Sequence, residues 1–520
     1  MTARHVRGPA LADLLPDWRT YIQATRLPPG WNDEALAVLE IAGVQLDSRN
    51  IARGDLFVAL PGFDKHRSTD GRHYIDQAVA AGAVAVLAEA EGWDAFANAS
   101  CPVPVIPVPQ LSRRVSGIAA AFYGRPSERL NVIGITGTNG KTTCSHLLAQ
   151  LFNSLAVKTA VVGTLGYGVP GSQSGLVDTG LTTPDAITNQ AILAELLDAG
   201  VRAVAMEVSS HSLEQGRVES VRLRGGVFTN LSRDHLDYHG SMAAYQAAKV
   251  KLFKTPNLEF AVINLDDAAG KEILAGLGEG IRCYGYSLND PQAALWLRAI
   301  RHIEDGVEAE LVSPWGEGLL RSSLIGDFNL SNLLAAVAAA CALGLPFERV
   351  IGAARGLRPV AGRLEVINGD QGPRVVVDYA HTPDALEKVL GALRSVCRRM
   401  SNAGQLWCVF GCGGDRDPGK RAKMGAVAAA LADRVVITSD NPRGESPATI
   451  MAAIAEGAGP AAVCIEDRAE AIRYAITHAA DRDVVLIAGK GHENYQITGQ
   501  RRLPFSDAAQ ARLALGSRVR

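Results

Sequence analysis

Long apolar runs are missing from this 520-residue chain. The longest, at residues 333–345, is alanine-rich and falls well short of the roughly 18 residues that a membrane-spanning helix needs. The N-terminal residues also lack the continuous apolar segment of a signal peptide. These absences predict a cytoplasmic protein with no membrane span, in which residues 333–345 form a buried helix.

An excess of charge of one sign is missing too. The 52 Lys and Arg residues nearly balance the 54 Asp and Glu residues, which leaves a formal net charge of −2. The chain therefore gives no electrostatic reason to expect nucleic acid or an anionic membrane as a partner. We expect small-molecule substrates bound at local sites, and we infer no obligate protein partner.

Cysteine pairs with the spacing of a metal site are also lacking. Of the eight cysteines only Cys408 and Cys412 lie close together, and no second pair follows to complete a zinc site. We expect reduced, buried thiols.

The length and the order of strand and helix signals predict three α/β domains. We place them at residues 1–128, 129–357 and 358–520, with the first 40 or so residues as a polar lead. The central domain is expected to be a wound sheet of the P-loop type, interrupted by an antiparallel insertion at residues 281–325. A smaller N-terminal α/β domain and a C-terminal Rossmann-like α/β domain flank it. In the third domain each polar cluster follows the carboxyl end of an apolar strand, which is where ligands bind in open α/β sheets.

The segment IGITGTNGKTT, residues 133–143, reads as a strand that enters a glycine-rich loop and then a helix. This pattern predicts a nucleoside triphosphate site, because backbone N–H groups, a lysine and a hydroxyl for Mg²⁺ converge there. Five residues separate Gly134 from Gly140, where the general P-loop has four. A glycine-rich turn that only caps a helix is the simpler alternative, but the strand–loop–helix context favours nucleotide. The candidate residues are Gly137, Thr138, Asn139, Gly140, Lys141, Thr142 and Thr143.

Three further residues of the second domain could complete a metal site. Glu207 ends a predicted strand, where it is either simply solvated or a Mg²⁺ ligand beside Thr142. His235 is either a capping residue or a ligand. Lys249 falls on the apolar stripe of a predicted helix, so it either extends its ammonium to water or, as a desolvated neutral amine, captures CO₂ as a carbamate. The residues alone leave the two readings of Lys249 open.

Ten motifs in order give the chain its resemblance to a known family. They are TGTNGKTT, LTTPD, EVSSHSL, NLSRDHLDYHG with YQAAK, FNLSNLLAA, GRLE, DYAHTPDAL, GCGGDRDPGKR, DNPR and GKGHENYQ. From about residue 46 to the C-terminus the chain resembles the Mur ligases that add diaminopimelate, the third amino acid of the peptidoglycan precursor. The resemblance implies a role in cell-wall synthesis, and so in cell shape and division.

The resemblance also implies roles for single residues. It implies Lys141, Glu207, His235 and Lys249 as catalytic residues, with Lys249 carbamylated and acting as a Mg²⁺ ligand together with Thr142, Glu207 and His235. It adds ATP contacts from Asn329, Asn332, Arg363 and His381. The UDP-linked precursor would be held by Ser48, Thr182, Thr183, Ser209, Gln215 and Arg217, with further uridine contacts in the loop at residues 61–75 left undefined.

Selection of diaminopimelate is implied for a set of residues in the third domain. Arg416 and Arg443 can offer planar forks to the distal carboxylate in a largely desolvated pocket. An Asx–Pro turn would explain the proline of DNPR but not its arginine. The accompanying ammonium would be received by acidic and amide groups nearby. The predicted residues are Arg416, Asp440, Asn441, Pro442, Arg443, Gly489 and Glu493.

Two rival functions share part of this pattern. Another amide ligase of the superfamily, such as a folylpolyglutamate synthase, would share the nucleotide loop but is expected to lack the combination of DNPR and GKGHE. A P-loop ATPase that switches a partner would need neither a carbamylated lysine nor three ligand-bearing strand ends after its ATPase core.

Overall fold

A computed structural model describes residues 8–22, 27–62, 70–96, 101–303, 306–367, 372–399 and 404–518. The chain divides into two compact units. Unit 1 contains residues 1–134, 157–226 and 248–259, and unit 2 contains residues 135–156, 227–247 and 260–520. Two strands, Asn131–Thr136 and Leu223–Phe228, and one helix, Met242–Val250, contain boundaries between these units.

Unit 1 begins with a four-stranded parallel sheet whose strands follow chain order. Its strands are Gly43–Gln45, Asp55–Ala59, Ala85–Glu89 and Val105–Val108. Helices of this part are Leu11–Leu14, Trp18–Ile22, Asp33–Ala37, Ile75–Ala81 and Leu111–Phe122. The α/β character predicted for the N-terminal part of the chain is confirmed.

The N-terminal lead, predicted from the sequence to be polar, buries several apolar side chains in the core. Leu11, Leu14 and Trp18 are at most 3% exposed and belong to the same core as the four-stranded sheet. Asp17 forms an ion pair with Arg114 of the helix Leu111–Phe122, with 2.8 Å between the carboxylate and the guanidinium. The lead is therefore an integral layer of this core.

The rest of unit 1 carries strands of the predicted central domain. The segment AVVGTLGYG, residues 160–168, contains an antiparallel pair, because Thr159–Gly163 turns back at Thr164 into Gly166–Gly168. Thr159–Gly163 also pairs in parallel with Ala203–Glu207. The helices here are Ala186–Asp198 and Ser210–Glu214.

Unit 2 carries the insertion and a six-stranded sheet. Strands Phe260–Asn264, Arg282–Ser287 and Leu295–Ile303 pair in parallel, and antiparallel pairing then adds Gly306–Ser313 and Gly316–Ser322. The predicted antiparallel insertion is thus confirmed for residues 295–322, whereas Arg282–Ser287 continues the parallel part of the sheet. The six-stranded sheet has the spatial order Glu365–Ile367, Arg374–Asp378, Val484–Ala488, Leu406–Phe410, Arg434–Ile437 and Val463–Cys464. Its first pair is antiparallel and the others are parallel.

The helices of unit 2 include the predicted buried one, observed as Asp327–Ala342. The others are Lys141–Ser154, Leu236–His239, Ala268–Ala275, Phe347–Ala354, Pro383–Arg399, Arg421–Leu431, Pro447–Ala458, Arg468–His478 and Asp507–Arg518. A short hairpin, Tyr495–Thr498 with Arg501–Pro504, follows the six-stranded sheet. Within the described ranges no helix is both long and apolar enough to cross a membrane.

The cysteine prediction is confirmed for Cys408 and Cys412, which are buried and unpaired by disulfide. It is wrong for Cys464, which is exposed on the edge strand Val463–Cys464, and partly wrong for the half-buried Cys101 and Cys283. An edge strand has no neighbour on one side, so its side chains are covered less.

Candidate functional site

The predicted nucleotide loop lies between the strand Asn131–Thr136 and the helix Lys141–Ser154. Gly137 and Gly140 have φ angles of 149° and 85°, which side-chain-bearing residues rarely adopt. A Cβ on Gly140 would also lie 2.5 Å from Asn332 Oδ1, so glycine is needed there for close approach. The Lys141 ammonium donates to the carbonyls of Gly137 at 2.8 Å and Thr138 at 2.9 Å. The strand–loop–helix context that the motif required is therefore present.

A second loop, which the sequence did not single out, supports the nucleotide loop. Asn139 N–H donates to Asn230 Oδ1 at 2.9 Å, and Thr138 N–H donates to the Asn230 carbonyl at 2.8 Å. Thr229 Oγ1 donates to the Asn139 carbonyl at 2.6 Å. These bonds use the polar groups of residues 229–230 to fix the backbone that would face phosphate.

Residues of the third predicted domain reach the same loop within unit 2. Arg363 Nη2 donates to Thr142 Oγ1 at 3.1 Å, and its guanidinium lies 4.4 Å from the ring centre of Tyr379. Asn139 Nδ2 donates to Asp384 Oδ2 at 3.1 Å. Unit 2 thus brings the nucleotide loop and the GRLE and DYAHTPDAL motifs together.

A cavity of about 540 Å³ opens beside this loop. Its size suits a nucleotide, since ligand pockets typically measure ~300–1,000 Å³. Predicted ATP residues that line it are Asn139, Gly140, Thr143, Asn329, Asn332 and Arg363. Lining residues that the sequence did not single out include Asn230, Asp266, Asp267, Tyr379 and Lys388.

His235 and His381 both face Asp234. The Nε2 atom of His235 lies 3.4 Å from Asp234 Oδ2, and that of His381 lies 3.9 Å from the same oxygen. Burial raises the pKa of Asp234, but the nearby His235, His381 and Lys420 outweigh burial and lower that pKa to about 2. Burial lowers the pKa of His381 to about 4, so this imidazole is neutral at pH 7. Asp234 is therefore a fixed negative charge that the sequence reasoning missed.

The remaining predicted metal ligands are divided between the units. Thr142 and His235 belong to unit 2, whereas Glu207 and Lys249 belong to unit 1 and are each 1% exposed. The Glu207 carboxylate accepts from Thr164 N–H and from Thr164 Oγ1, both at 3.0 Å. A buried carboxylate oriented by two donors suits a role as an oxygen ligand of Mg²⁺.

His, Cys, Asp and Glu side chains alone do not form a metal site in the described part of the chain. Among the described residues no three or more such side chains are grouped so that they could hold an ion. A Mg²⁺ site would therefore need ligands of other kinds as well.

Five of the predicted precursor residues interact within unit 1. Thr183 Oγ1 donates to the Glu207 carbonyl at 2.8 Å, and Ser209 N–H donates to Thr183 Oγ1 at 3.1 Å. Arg217 donates to the Thr183 carbonyl through Nη1 and to Gln215 Oε1 through Nε, both at 2.8 Å. Thr182 is linked to the same group through Thr164, with 3.1 Å between their hydroxyl oxygens.

Ser48 lies apart from this group in the chain, at the start of a short 3₁₀ helix. It is 8% exposed, and its Oγ donates to Gln77 Oε1 at 3.2 Å. Most of the loop predicted to make further uridine contacts, residues 63–69, lies outside the described residues.

The predicted amino-acid residues follow neighbouring strands of the six-stranded sheet. Arg416 comes after Leu406–Phe410, Arg443 comes after Arg434–Ile437, and Glu493 comes after Val484–Ala488. Because these strands are parallel neighbours, their carboxyl ends share one edge. Asn441 Nδ2 donates to Glu493 Oε2 at 2.8 Å, so the structure brings these two together.

Gly489 and Pro442 shape the same edge. Gly489 has a φ of 115°, and a Cβ there would lie 2.8 Å from Asp440 Oδ2, so the carboxylate of Asp440 packs against bare backbone. Pro442 is buried beside it. The glycine and the proline therefore act through backbone shape.

The two predicted arginines differ in environment. Arg443 is half-buried, adopts a left-handed φ of 50°, and donates from Nη1 to the Gly414 carbonyl at 2.9 Å. Burial and the nearby Arg416 lower the pKa of Arg443. Arg416 is exposed, so the expectation of a largely desolvated setting does not hold for it in this structure.

Known proteins match this chain along nearly its whole length. Three family descriptions match in order: "Mur ligase family, catalytic domain" at residues 40–123, "Mur ligase middle domain" at 135–340 and "Mur ligase, glutamate ligase domain" at 362–491. A UDP-N-acetylmuramoyl-L-alanyl-D-glutamate–2,6-diaminopimelate ligase of Pseudomonas aeruginosa is 51% identical over 92% of this chain and 96% of its own length. This chain belongs to the Mur ligase family.

Two further relatives agree with that membership. The ligase of the same name from Coxiella burnetii is 47% identical over 93% of this chain and 97% of its own length. A solved structure of a ligase of that name has 35% identity and a TM-score of 0.68, and the match covers 99% of this Mur ligase and 100% of the solved chain. The predicted α/β Mur ligase fold is confirmed, while the domain limits of 128 and 357 remain predictions.

Sequence reasoning missed residues that hold this Mur ligase's predicted site residues in place. Asn230 was hidden in NLSRDHLDYHG, a motif read only for its histidine. Lys490, in GKGHEN, was passed over although a lysine directly after a buried strand is a signal. It is 0% exposed, and its ammonium donates to Asn441 Oδ1 at 2.9 Å.

Proposed function

We propose that this Mur ligase joins meso-diaminopimelate to UDP-N-acetylmuramoyl-L-alanyl-D-glutamate and converts ATP to ADP and phosphate. The observation that carries the proposal is the setting of Arg443. Among the described residues this half-buried guanidinium forms no ion pair with a carboxylate, and it follows Asp440 and Asn441 in one loop. A guanidinium beside an acid and an amide suits the carboxylate and ammonium of a second amino-acid head.

The activation step needs negative charge to be neutralised. The side-chain carboxylate of the D-glutamyl residue attacks the γ-phosphorus of ATP, ADP leaves, and an acyl phosphate forms. Lys141, held over the nucleotide loop, is placed to neutralise phosphate charge, and Arg363 sits on Thr142 at the start of the following helix. Asn329 and Asn332, which line the cavity, and His381 complete the proposed ATP contacts.

The second step forms the amide. The unprotonated amine of diaminopimelate attacks the acyl carbon, and the tetrahedral intermediate expels phosphate, which is a much better leaving group than hydroxide. Arg443, Asp440, Asn441 and Glu493 hold the far end of the amino acid, so its reacting amine is positioned by groups that take no part in the chemistry.

Mg²⁺ and the carbamate belong to the same proposal. We assign Thr142, Glu207, His235 and a carbamate on Lys249 to hold the metal, which would neutralise phosphate oxygens when bound. The buried and doubly hydrogen-bonded Glu207 supports this assignment. Thr182, Thr183, Ser209, Gln215 and Arg217 would hold the muramoyl dipeptide, and Ser48 the uridine part.

The direct test combines the purified protein with ATP, the UDP-linked dipeptide and one amino acid at a time. We expect phosphate release and a product of the mass of the tripeptide precursor with meso-diaminopimelate, and little with L-lysine. Equal activity with L-lysine would remove the role assigned to Arg443. Activity only with a folate substrate and glutamate would replace the proposal with a folylpolyglutamate synthase.

The setting of the reaction follows from its substrates. ATP and the UDP-linked precursor are cytoplasmic metabolites, so we place the reaction in the cytoplasm, as a step of peptidoglycan synthesis that supports cell shape and division.

A further inference from the structure

Lys490 is a buried cation in the middle of the proposed amino-acid site. Its side chain is 0% exposed, and it lies on the first turn after the strand Val484–Ala488. Its ammonium donates to Asn441 Oδ1 and to the Tyr495 carbonyl, each at 2.9 Å. It also lies 3.3 Å from Asp440 Oδ1 and 3.4 Å from Glu493 Oε2.

These contacts fix the orientation of Asn441. Its Oδ1 accepts from Lys490 and from the Ile497 backbone N–H at 2.9 Å, so its Nδ2 is turned toward Glu493, to which it donates at 2.8 Å. An amide flipped by 180° would place its NH₂ group against two donors. Lys490 and the Ile497 N–H therefore together fix which way the amide of Asn441 points, and Lys490 and Asn441 both contact the carboxylate of Glu493.

The hairpin Tyr495–Thr498 with Arg501–Pro504 supports the same loop from the backbone side. Gln496 Nε2 donates to the Asp440 carbonyl at 2.7 Å, and Arg443 N–H donates to the Ile497 carbonyl at 3.1 Å. Gly499 N–H returns a bond to the Arg443 carbonyl at 2.8 Å. The left-handed backbone of Arg443 is thus held by two bonds to one hairpin.

Two carboxylates in this cluster share one ammonium. Asp440 and Glu493 each form an ion pair with Lys490. Asp440 is 6% exposed, and its Oδ1 has no hydrogen-bond partner among the described residues, although the Lys490 ammonium is close. A buried carboxylate oxygen left in this state favours a further donor, since an unsatisfied buried acceptor is costly.

We infer that Lys490 is a positioning residue of the amino-acid site. Its ammonium orients Asn441 and Glu493 and cancels one of two carboxylate charges, so that the site takes a single further ammonium, borne by a zwitterionic amino-acid head. The inference rests on the proposed function and extends it to a residue that need not touch the substrate. Lys490 would set affinity for diaminopimelate without touching ATP.

The test replaces Lys490 with methionine, which keeps the length of the side chain and removes its charge. Lys490→Met should raise the KM for diaminopimelate on the order of 10- to 100-fold, the range expected for losing a hydrogen bond to a charged group. The KM for ATP should change less than about twofold. Lys423→Met is the matched control, because Lys423 is exposed on the helix Arg421–Leu431. It should change neither constant.

A second variant separates positioning from support of the fold. Glu493→Gln removes one carboxylate charge and keeps the shape of the side chain. If Lys490 balances that charge, the loss in the double variant Lys490→Met/Glu493→Gln should be smaller than the product of the two single losses. Should Lys490→Met alone fail to fold, the double variant is compared with Glu493→Gln, and a further loss confined to the KM for diaminopimelate is expected.

The outcomes are distinct. If the unaltered enzyme does not use diaminopimelate, the proposed function fails and the inference fails with it. If it does, equal losses for ATP and diaminopimelate, or none, in Lys490→Met overturn the inference alone. Multiplying losses in the double variant would overturn the charge-balancing part.

Discussion

Two arginines near the same edge of the six-stranded sheet, Arg468 and Arg443, differ in burial and in the groups that accept their hydrogen bonds. Arg468 is 2% exposed and donates from Nε and Nη2 to the two carboxylate oxygens of Asp507, both at 2.7 Å. Its guanidinium also donates to the carbonyls of Ser439 and Ala488. Arg443 is half-buried and has a carbonyl, that of Gly414, as its acceptor.

The difference separates a structural charge from a charge available to a ligand. Arg468 has a bidentate carboxylate partner, so its desolvation is offset inside the protein. Burial and the nearby Arg416 lower the pKa of Arg443, although Asp440 and Glu493 act in the opposite direction. A carboxylate bound to the guanidinium would offset its desolvation further. The presence or absence of a carboxylate partner, more than the degree of burial, therefore distinguishes a basic side chain that stabilises the fold from one that can bind a ligand.

Lys249 extends the comparison to unit 1 and carries the largest expected effect. It is 1% exposed, as a structural cation would be, but we propose that it acts as a carbamate. Lys249→Ala should nearly abolish turnover while the free energy of unfolding changes little. Added bicarbonate or a short carboxylic acid should partly restore turnover by supplying an anionic oxygen. Near-normal turnover without additive would place Lys249 with Arg468 as a structural residue.

Arg468→Ala tests the structural side of the comparison. Removing one partner of a buried ion pair should lower the free energy of unfolding by about 3–5 kcal/mol, because Asp507 is left as an uncompensated buried charge. Urea denaturation measures this directly. Arg473→Ala on the same helix is the control, since its ion pair with Glu470 is exposed and should contribute less than about 1 kcal/mol. A similar loss in both variants would contradict the distinction.

Arg443→Ala tests the proposed ligand-binding arginine. Loss of its charge should cost about 2–5 kcal/mol of interaction with the distal carboxylate, or roughly a thirty- to several-thousand-fold rise in the KM for diaminopimelate. The KM for ATP and the urea midpoint should stay nearly unchanged, as they should in Arg434→Ala, a control on the exposed start of a strand of the same sheet. L-Lysine should not become a good substrate, because removing the guanidinium creates no new contact for a lysine side chain. Equal losses for ATP and diaminopimelate would instead give Arg443 a role in the fold.

The sequence predicted the motifs around Arg443 but not the partners of the residues in them. Apolar runs ended by polar clusters predict the strands of the third domain and their shared edge, and the resemblance to diaminopimelate-adding Mur ligases implied that Asp440, Arg443 and Glu493 belong to one site. The pairing of Arg468 with Asp507 joins residues 39 positions apart, and no local pattern predicts it. The same applies to Asn230 under the nucleotide loop, because its contacts depend on how one loop packs on another. The N-terminal lead was misjudged because its apolar residues occur in very short helices that lack a sustained period.

Besides the carboxylate-paired Arg468 and the half-buried Arg443, the structure has a buried basic side chain that is held neutral, that of His146. This residue of the helix Lys141–Ser154 is 7% exposed, and burial, aided by Arg363, lowers its pKa to about 4. Above pH 6.5 the imidazole is neutral in both folded and unfolded chains. As the pH falls from 6.5 toward 4 only the unfolded chain gains the proton, so the free energy of unfolding falls. Between pH 7.5 and pH 5 this residue should account for a loss of about 2 kcal/mol.

The measurement is the free energy of unfolding of His146→Gln at the two pH values, set against that of the unaltered enzyme. The variant should be less dependent on pH by about that 2 kcal/mol, whatever its stability at pH 7.5. His478→Gln provides the control, because His478 is exposed at the end of the helix Arg468–His478. If both variants lose stability toward acid as steeply as the unaltered enzyme does, His146 is not held neutral. His146 would then resemble Arg468, with an acceptor nearby that stabilises its protonated form.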